Sequence, residues 1–342
     1  MKFRTVPIEE SPGAILAHSL KSEAGRLKKG KRLDHHDVEA LRRMGMTEVT
    51  VARLDADDHD EDTAADLIAE ALIAGVPGLR RTPAVTGRSN LHADITGVLA
   101  IRAQSVIQFN EIGGGITLAT LPDLARVHPG AMVATLKIVT YGVPAQSVDR
   151  ARTLAGDVFA LWPVMIQTAG LIITRHPSTP DASITKSRRV IHDRLSGLGL
   201  ALKDNCVVPH TVTGIRKALA HISGEIILIL TASATSDLHD TAPLAVLRAG
   251  GCIDHFGIPV DPGNLLFHGS LADRPVIGLP GCARSPALNG ADWFLERLVC
   301  GVPITCRDIA AMGVGGLLKE IPSRPFPRDR LSGTGSVDTA SK

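Results

Sequence analysis

Hydrophobic residues are spaced in two different ways along the chain, and the change falls near Pro163. Beyond it, short and continuously apolar runs alternate with amphipathic stretches, which is typical of a parallel, doubly wound sheet. We predict strands at residues 171–174, 205–210, 225–230 and 274–279, and helices at residues 188–198, 214–222 and 243–249. Residues 163–330 are therefore expected to form an α/β domain with a three-layer, doubly wound, mainly parallel sheet.

The chain before Pro163 predicts a mixed α+β region that is rich in strands. The first part, residues 1–74, is expected to be an α+β unit with a helix at residues 34–44, a strand at 48–54 and a helix ending near 74. The second part, residues 75–162, is expected to be a β-rich subdomain with strands at residues 95–101, 116–121 and 132–139 and a connecting helix at 145–160. The end of the chain, rich in Pro, Arg, Ser and Gly, predicts a flexible tail at residues 331–342.

Composition narrows the classes of partner. The formal net charge is +2 and aromatic residues make up 3% of the chain, so nucleic acid is not expected to bind. No apolar run reaches the roughly 18 residues that a membrane span needs, and residues 1–10 carry charges where a secretory signal would be apolar. We therefore expect a cytoplasmic protein that does not bind membranes. The 5 cysteines include no CxxC pair, which favours reduced thiols over structural zinc.

A polar loop at residues 231–240 follows the most aliphatic strand. Its small side chains let backbone N–H groups approach an anion, and its hydroxyls are neutral donors to phosphate. Asp237 and Asp240 suit Mg²⁺, which prefers one or two carboxylates plus substrate oxygens; the alternative is that Asp240 caps the helix that follows. The hydroxyl residues that we expect to bind a ligand here are Thr231, Ser233, Thr235 and Ser236, together with Thr174 after an earlier strand. Lys186 on the next helix either meets a phosphate or is a solvated lysine.

Two further clusters combine turns with polar side chains. Residues 257–266 pack prolines and glycines around a carboxylate and an amide, and residues 279–286 follow a strand with a Pro-Gly turn. Arg284, within residues 279–286, would bind a phosphate with two hydrogen bonds. The cysteine of this cluster is either a nucleophile or metal ligand, or a small residue that fills a tight turn. The candidate binding residues are Asp261, Gly263, Asn264, Pro280, Gly281, Cys282, Arg284 and Ser285.

The three clusters together resemble the molybdopterin-binding domain of the gephyrin, MoeA and Mog-like proteins. In that family a glycine-rich loop ending in Asp follows a central strand, and two Pro-Gly turns complete the pocket. Residues 233–240, 262–264 and 280–283 match these features in the family's order. A closer resemblance, over residues 4–328, is to the amino-terminal part of fused molybdenum-cofactor cytidylyltransferases. The segments that carry it are residues 16–19, 134–138, 261–266, 280–286, 289–290, 292–293 and 312–318.

The sequence departs from the family's pattern in two turns. Ala232 and Ser233 stand where the loop usually has glycines, and Cys282-Ala283 stands where the closing turn has Asn-Pro. The nucleotide-binding loop of the cytidylyltransferase domain is not found before Lys342. Cytidylyl transfer by this chain alone is therefore not expected.

The resemblance implies a protein of molybdenum-cofactor biosynthesis that holds the phosphate of molybdopterin, or of its nucleotide adduct, with Mg²⁺. As a transferase it would use Asp237 and Asp240 as catalytic carboxylates and metal ligands during metal insertion or nucleotidyl transfer. The alternative is a non-catalytic carrier that hands the cofactor to a separate cytidylyltransferase or molybdoenzyme. A third hypothesis is a phosphosugar or sugar-nucleotide enzyme on a similar sheet. Relatives of the domain assemble, so a homo-oligomer is expected.

Overall fold

The structure is a computed structural model that describes residues 1–22 and 25–318. The chain divides into two compact units, Met1–Val164 and a second unit that begins at Met165. The tail predicted at residues 331–342 lies outside the described residues, as do residues 319–330 of the predicted α/β domain. Along the described part of the chain, no helix combines the length and apolar character that crossing a bilayer requires.

The first unit contains antiparallel strands, four α-helices and a 3₁₀ helix at Ile8–Glu10 in its described part. The helices are α1 (His35–Arg43), α2 (Glu61–Ile73), α3 (Ala103–Asn110) and α4 (Ala145–Ala155). The strands are β1 (Lys2–Pro7), β2 (Ile15–Leu16), β3 (Leu20–Ser22), β4 (Gly25–Leu27), β5 (Glu48–Arg53), β6 (Asp58–Asp60), β7 (Leu79–Arg81), β8 (Arg88–Ala93), β9 (Gly97–Ile101), β10 (Ile116–Thr120), β11 (Ala125–Val127), β12 (Met132–Ile138), β13 (Gly142–Pro144) and β14 (Phe159–Pro163).

Two hydrophobic cores stabilise this unit. The smaller joins Leu41 of α1 to Leu16 and Val51 of the sheet β1-β5-β2. The larger joins Ile68 of α2 to Leu91 and Leu136 of the sheet β10-β12-β8-β7. The remaining strands form the sheets β11-β9-β14, β13-β6 and β3-β4.

One predicted element of this unit is wrong in length. The helix expected over residues 145–160 ends at Ala155, and residues Phe159–Pro163 form β14 instead. The reason is a tertiary interaction: β14 pairs antiparallel with β9. This close pairing needs glycine at Gly97, because a Cβ atom there would lie only 2.2 Å from the Trp162 carbonyl oxygen. A helix continued through these residues would lose that pairing.

The second unit confirms the mixed α/β class and the predicted alternation of strands and helices. Its strands are β15 (Thr168–Arg175), β16 (Ala201–Pro209), β17 (Ile226–Leu230), β18 (Cys252–Phe256), β19 (Phe267–Leu271) and β20 (Arg274–Leu279). Its helices are α5 (Asp181–Gly197), α6 (Val212–Leu219), α7 (Thr241–Arg248), α8 (Gly290–Val299) and α9 (Cys306–Ala311), with a 3₁₀ turn at Gly281–Arg284. Compared with the predicted helix at residues 188–198, α5 begins earlier, at Asp181.

The six strands of this unit form one sheet in the order β16-β15-β17-β20-β19-β18. The pairs β15–β16, β15–β17 and β17–β20 are parallel, whereas β19 runs antiparallel to both of its neighbours. On one face the core joins Ile229 of β17 to Leu219 of α6 and Val246 of α7. Strand β17 is buried along its whole length, which explains why its sequence, Ile-Ile-Leu-Ile-Leu, is apolar at every position.

Candidate functional site at the carboxyl edge of the sheet

The parallel register places the carboxyl ends of β15, β16, β17 and β20 on one edge of the sheet. Strand β19 begins at that same edge, because Phe267 lies opposite Gly278 near the end of β20. The loop that precedes β19, residues 257–266, therefore opens on the edge that also carries residues 231–240 and 280–289. The three clusters predicted from the sequence thus belong to loops at one edge, which is where ligands bind in parallel α/β sheets.

A series of hydrogen bonds at this edge connects residues that follow or end the neighbouring strands β16, β15 and β17. The Ala232 N–H group donates to Thr174 Oγ1 at 2.7 Å, and Thr174 Oγ1 lies 2.9 Å from His210 Nδ1. The other ring nitrogen, His210 Nε2, lies 2.9 Å from Ser233 Oγ. Thr174 is fully buried, whereas Ser233 is exposed. The series therefore runs from the interior of the sheet to its surface.

The surroundings of His210 shift the pKa of its imidazole. Burial lowers the pKa of the imidazole, and the nearby His176 lowers it further, while Asp240 opposes the shift. The rings of His176 and His210 are 5.0 Å apart in an edge-to-face arrangement. At neutral pH His210 is therefore uncharged, with one ring nitrogen as a donor and the other as an acceptor.

Both carboxylates of the loop hold the backbone. Asp240 Oδ1 accepts the Thr241 N–H bond at 2.6 Å and Oδ2 accepts the Ser236 N–H bond at 3.1 Å, so Asp240 caps α7. Asp237 Oδ1 accepts from the His239 N–H group at 2.7 Å, and this bond, with the His239 side chain, lowers the pKa of Asp237. The capping alternative for Asp240 is confirmed. In the part of the chain that the structure describes, no group of three or more His, Cys, Asp or Glu side chains is arranged to hold a metal.

The hydroxyls of this loop are placed differently. Thr231 is buried and donates its hydroxyl to the Ser233 carbonyl oxygen at 2.7 Å. Thr235 is also buried, whereas Ser233 and Ser236 are exposed. Only the last two therefore present a hydroxyl to solvent among the four that the sequence singled out.

Arg284 and Cys282 are partly buried in the 3₁₀ turn after β20. Arg284 Nη1 donates to Ser187 Oγ at 2.8 Å and Nη2 donates to the Thr231 carbonyl oxygen, so two of its donors connect the turn to α5 and to the residue that follows β17. Burial raises the pKa of the Cys282 thiol, which keeps it protonated at neutral pH and disfavours a role as nucleophile or metal ligand. Phosphate binding by Arg284 stays a prediction. It would have to use the N–H groups of Arg284 that do not bind Ser187 or Thr231.

Arg194, on α5, holds the loop after β20 in place. Its guanidinium donates to the carbonyl oxygens of Ala283, Ser285 and Ala287 at 2.6–2.8 Å. Its Nε donates to Asp292 Oδ1 at 2.6 Å. The two side chains of this ion pair are 11% and 12% exposed, which makes it a largely buried interaction.

Asp292 and Asn289 together form the capping box of α8. Asp292 Oδ2 accepts the Asn289 N–H bond at 2.8 Å, and Asn289 Oδ1 accepts from Ala291. Because Asp292 also binds Arg194, one carboxylate connects the start of α8 to the loop after β20.

The turn before β19 is fixed by close backbone packing. Gly263 has a φ of +138°, and a Cβ atom there would lie 2.5 Å from the Gly290 nitrogen at the start of α8. The Gly290 N–H group donates to the Pro262 carbonyl oxygen at 2.8 Å, and Asp261 pairs through its backbone with Gly316 and Leu318. With the Asn264 amide in its satisfied orientation, its nitrogen donates to Asp261 Oδ1 at 2.9 Å. Glycine is required here by geometry, whether or not a ligand binds.

The remaining predicted residues differ in exposure: Lys186 and Gly281 are exposed, Ser285 is partly buried and Pro280 is buried. Lys186 is exposed on α5, near the start of that helix. Pro280 precedes the 3₁₀ turn, Gly281 has open space where a Cβ atom would stand, and Ser285 Oγ accepts the Ala287 N–H bond at 3.3 Å.

His210, His176 and Arg194 were not among the predicted site residues. Each acts through partners that are distant in sequence: His210 contacts Thr174 and Ser233, and Arg194 contacts residues 283–292. The usable sequence signal was positional, because His210 directly follows β16 and His176 directly follows β15.

Fold and site together define a mixed α/β protein whose polar loops gather at the carboxyl edge of a mainly parallel sheet. A family described as "Domain of unknown function (DUF8806)" matches residues 5–53. No curated protein matches the chain.

Solved structures that align with this chain include three at 12–15% identity. The molybdopterin biosynthesis MoeA protein from Pyrococcus horikosii aligns with 92% of this chain and 77% of its own, at 13% identity and a TM-score of 0.29. Molybdenum cofactor biosynthesis protein B aligns with 40% of this chain and 96% of its own, at 15% identity and a TM-score of 0.29. NadC from Streptococcus pyogenes aligns with 55% of this chain and 81% of its own, at 12% identity and a TM-score of 0.17. Superpositions this loose leave the function to be argued from the residues of the site.

Replacing Arg194 by Met is expected to lower the free energy of unfolding by about 3–4 kcal/mol, because it leaves Asp292 and three carbonyl oxygens without their donor. Urea unfolding of the two proteins measures the difference. Arg189→Met, at an exposed position of the same helix, is the control and should change stability by less than about 0.5 kcal/mol. Equal effects of the two substitutions would show that the Arg194 bonds do not stabilise the unit.

Stability is also expected to depend on pH through His210. Because the folded state lowers the pKa of its imidazole, the unfolded chain binds more protons at mildly acidic pH, and the free energy of unfolding falls as the pH drops below the unfolded value of about 6.5. His210→Gln should make this decrease shallower, as measured by urea unfolding across that range. An identical pH dependence in both proteins would contradict the shift.

Proposed function

We propose that the second unit binds molybdopterin, or its nucleotide adduct, through the phosphate, and that the chain serves molybdenum-cofactor biosynthesis. The observation that carries the proposal is the common position of residues 231–240, 257–266 and 280–286, which follow or precede strands that meet at one edge of the sheet. These are the segments whose order along the chain resembles the molybdopterin-binding domain. Their spatial convergence is what a single ligand site requires.

The phosphate would be bound by exposed hydroxyls and backbone N–H groups. Ser233 and Ser236 present hydroxyls at this edge, and Gly281 leaves its backbone open to a ligand. Lys186, an exposed cation near the start of α5, would add a favourable charge. Such a site would bind a phosphate ester through hydrogen bonds from neutral hydroxyl and N–H groups and through the charge of the lysine.

We further propose that Asp237 and Asp240 would hold Mg²⁺ when a phosphate-bearing ligand is bound. Each oxygen of Asp240 accepts one backbone N–H bond and retains a second lone pair, so capping and metal binding are compatible. Mg²⁺ needs only one or two carboxylates when substrate oxygens complete its shell. Bound there, the ion would neutralise phosphate charge, and the two aspartates would hold it.

A carrier without catalytic activity is the second candidate function. It is favoured by the commitment of Asp240 and Arg284 to hydrogen bonds within the protein and by the protonated state of the Cys282 thiol. In that role the chain would present the cofactor to a separate cytidylyltransferase or molybdoenzyme. Turnover of molybdopterin with molybdate by the purified protein would exclude the carrier and support a transferase.

We also propose that the sheet of the second unit is the middle of three layers. Residues Leu171, Ile173 and Leu228 alternate along their strands with the core residues that face α6 and α7, and they are fully buried. Helices α5 and α8 are the elements available to cover them. A sheet covered by helices on both faces belongs to the doubly wound class. We also propose that the protein assembles as a homo-oligomer.

The test is a titration of the protein with molybdopterin, in which pterin fluorescence reports binding. It is carried out once with Mg²⁺ and once with EDTA. Asn retains the helix cap, so Asp240→Asn separates metal binding from folding. We expect Mg²⁺ to tighten binding to the wild type by roughly tenfold, about 1.4 kcal/mol, and to have little effect on Asp240→Asn.

Asp273→Asn is the control for the loss of one carboxylate, because Asp273 lies in the turn between β19 and β20, at the opposite edge of the sheet. Equal Mg²⁺ dependence in the wild type and Asp240→Asn would contradict the metal site. Absence of saturable binding to the wild type would contradict the proposed function.

A further inference from the structure

The direction of the hydrogen bonds between Thr174, His210 and Ser233 depends on the tautomer of His210, and the surroundings of Thr174 favour one of the two. Thr174 is fully buried, and its oxygen already accepts the Ala232 N–H bond at 2.7 Å. A buried O–H group without an acceptor costs free energy, so the Thr174 hydroxyl is expected to donate as well. Within the described residues, the acceptor in reach of Thr174 Oγ1 is His210 Nδ1, at 2.9 Å.

This donation determines the tautomer of His210. If Nδ1 accepts from the Thr174 hydroxyl, the proton of the neutral ring resides on Nε2. The Nε2–H group then donates to Ser233 Oγ, which lies 2.9 Å away. The Ser233 oxygen, having accepted this bond, is left with its own O–H proton directed elsewhere.

We propose that these three residues form a donor relay, in which Thr174 and His210 orient the exposed Ser233 hydroxyl as a hydrogen-bond donor to the phosphate oxygens of a ligand. The inference rests on the proposed function, and it assigns His210 a positioning role. Every bond in the relay runs outward, from the Ala232 N–H group to the surface, so its end offers a donor to an anion. Hydrogen bonds linked in one direction also polarise one another, which strengthens the last donor.

The same direction argues against a nucleophilic serine. A Ser–His pair activates its hydroxyl only when the imidazole nitrogen accepts the serine proton. Here Nε2 carries a proton, so it cannot act as a base toward Ser233. The geometry therefore distinguishes an anion-binding serine from a catalytic one, although the distance between the two atoms is the same in both.

The tautomer is tested by NMR on protein with ¹⁵N-labelled histidine rings, with the His210 signals assigned by comparison with His210→Gln. We expect the Nε2–H tautomer at pH 7.5, and a change in the Nε2 signal when inorganic phosphate is added. An Nδ1–H tautomer would overturn the relay, because Thr174 would then accept the bond instead of donating it.

The role of the relay is tested by the affinity for inorganic phosphate, measured in the same titration. Loss of a hydrogen bond to a charged group predicts that Ser233→Ala weakens binding roughly tenfold. His210→Gln should also weaken it, and the double variant should be no weaker than Ser233→Ala, because the histidine acts through the serine. Ser178→Ala, on the exposed loop after β15, is the matched control and should leave the affinity unchanged.

Two further outcomes separate this inference from the proposed function. If phosphate binds as described but molybdopterin does not compete with it, the relay stands and the proposed function fails. If molybdopterin competes with phosphate while Ser233→Ala and His210→Gln bind phosphate as the wild type does, the function stands and the relay is overturned.

Discussion

The candidate site depends on the largely buried pair of Arg194 and Asp292. One guanidinium on α5 binds three carbonyl oxygens of the loop after β20, and its carboxylate partner caps α8. Loops at the edge of a sheet are otherwise the most variable part of an α/β fold. Here a charge-assisted network holds one of them against a helix, and Gly290, the first residue of α8, in turn binds the turn that contains Gly263. Two of the three predicted clusters are therefore positioned by the same helix start.

The third cluster, residues 231–240, is positioned by different means. Asp240 caps α7 and binds Ser236, while the Thr174 hydroxyl binds the backbone at Ala232. These bonds engage the buried Thr174 hydroxyl within the protein, whereas each oxygen of Asp240 accepts one N–H bond and keeps a second lone pair. What is left for a ligand is a small set of exposed groups, above all the hydroxyls of Ser233 and Ser236. This division of work is consistent with a site that binds an anion by pre-arranged donors and not by a reactive side chain.

The sequence predicted the parts of the fold that local patterns determine. Strands β15, β17 and β20 lie in the interior of the sheet, and their apolar runs were recognised for that reason. Strands β18 and β19 were not predicted, because they lack a continuous apolar run: β18 has only exposed and partly buried positions, and both strands contain polar residues such as His. The helix predicted at residues 145–160 was too long because the pairing of β14 with β9 is a tertiary interaction. Similarly, the local sequence offered capping as an alternative to Mg²⁺ binding for Asp240, whereas His210 joins partners 36 and 23 residues away and was not predicted.

The central claim is that the carboxyl edge of this sheet holds a phosphate-bearing pterin. Native mass spectrometry of the purified protein, followed by release and fragmentation of the bound small molecule, tests it most directly. The account predicts a fluorescent pterin carrying a phosphate or a nucleotide, retained by the wild type and depleted in Ser233→Ala. A bound sugar phosphate or sugar nucleotide in place of a pterin would contradict it.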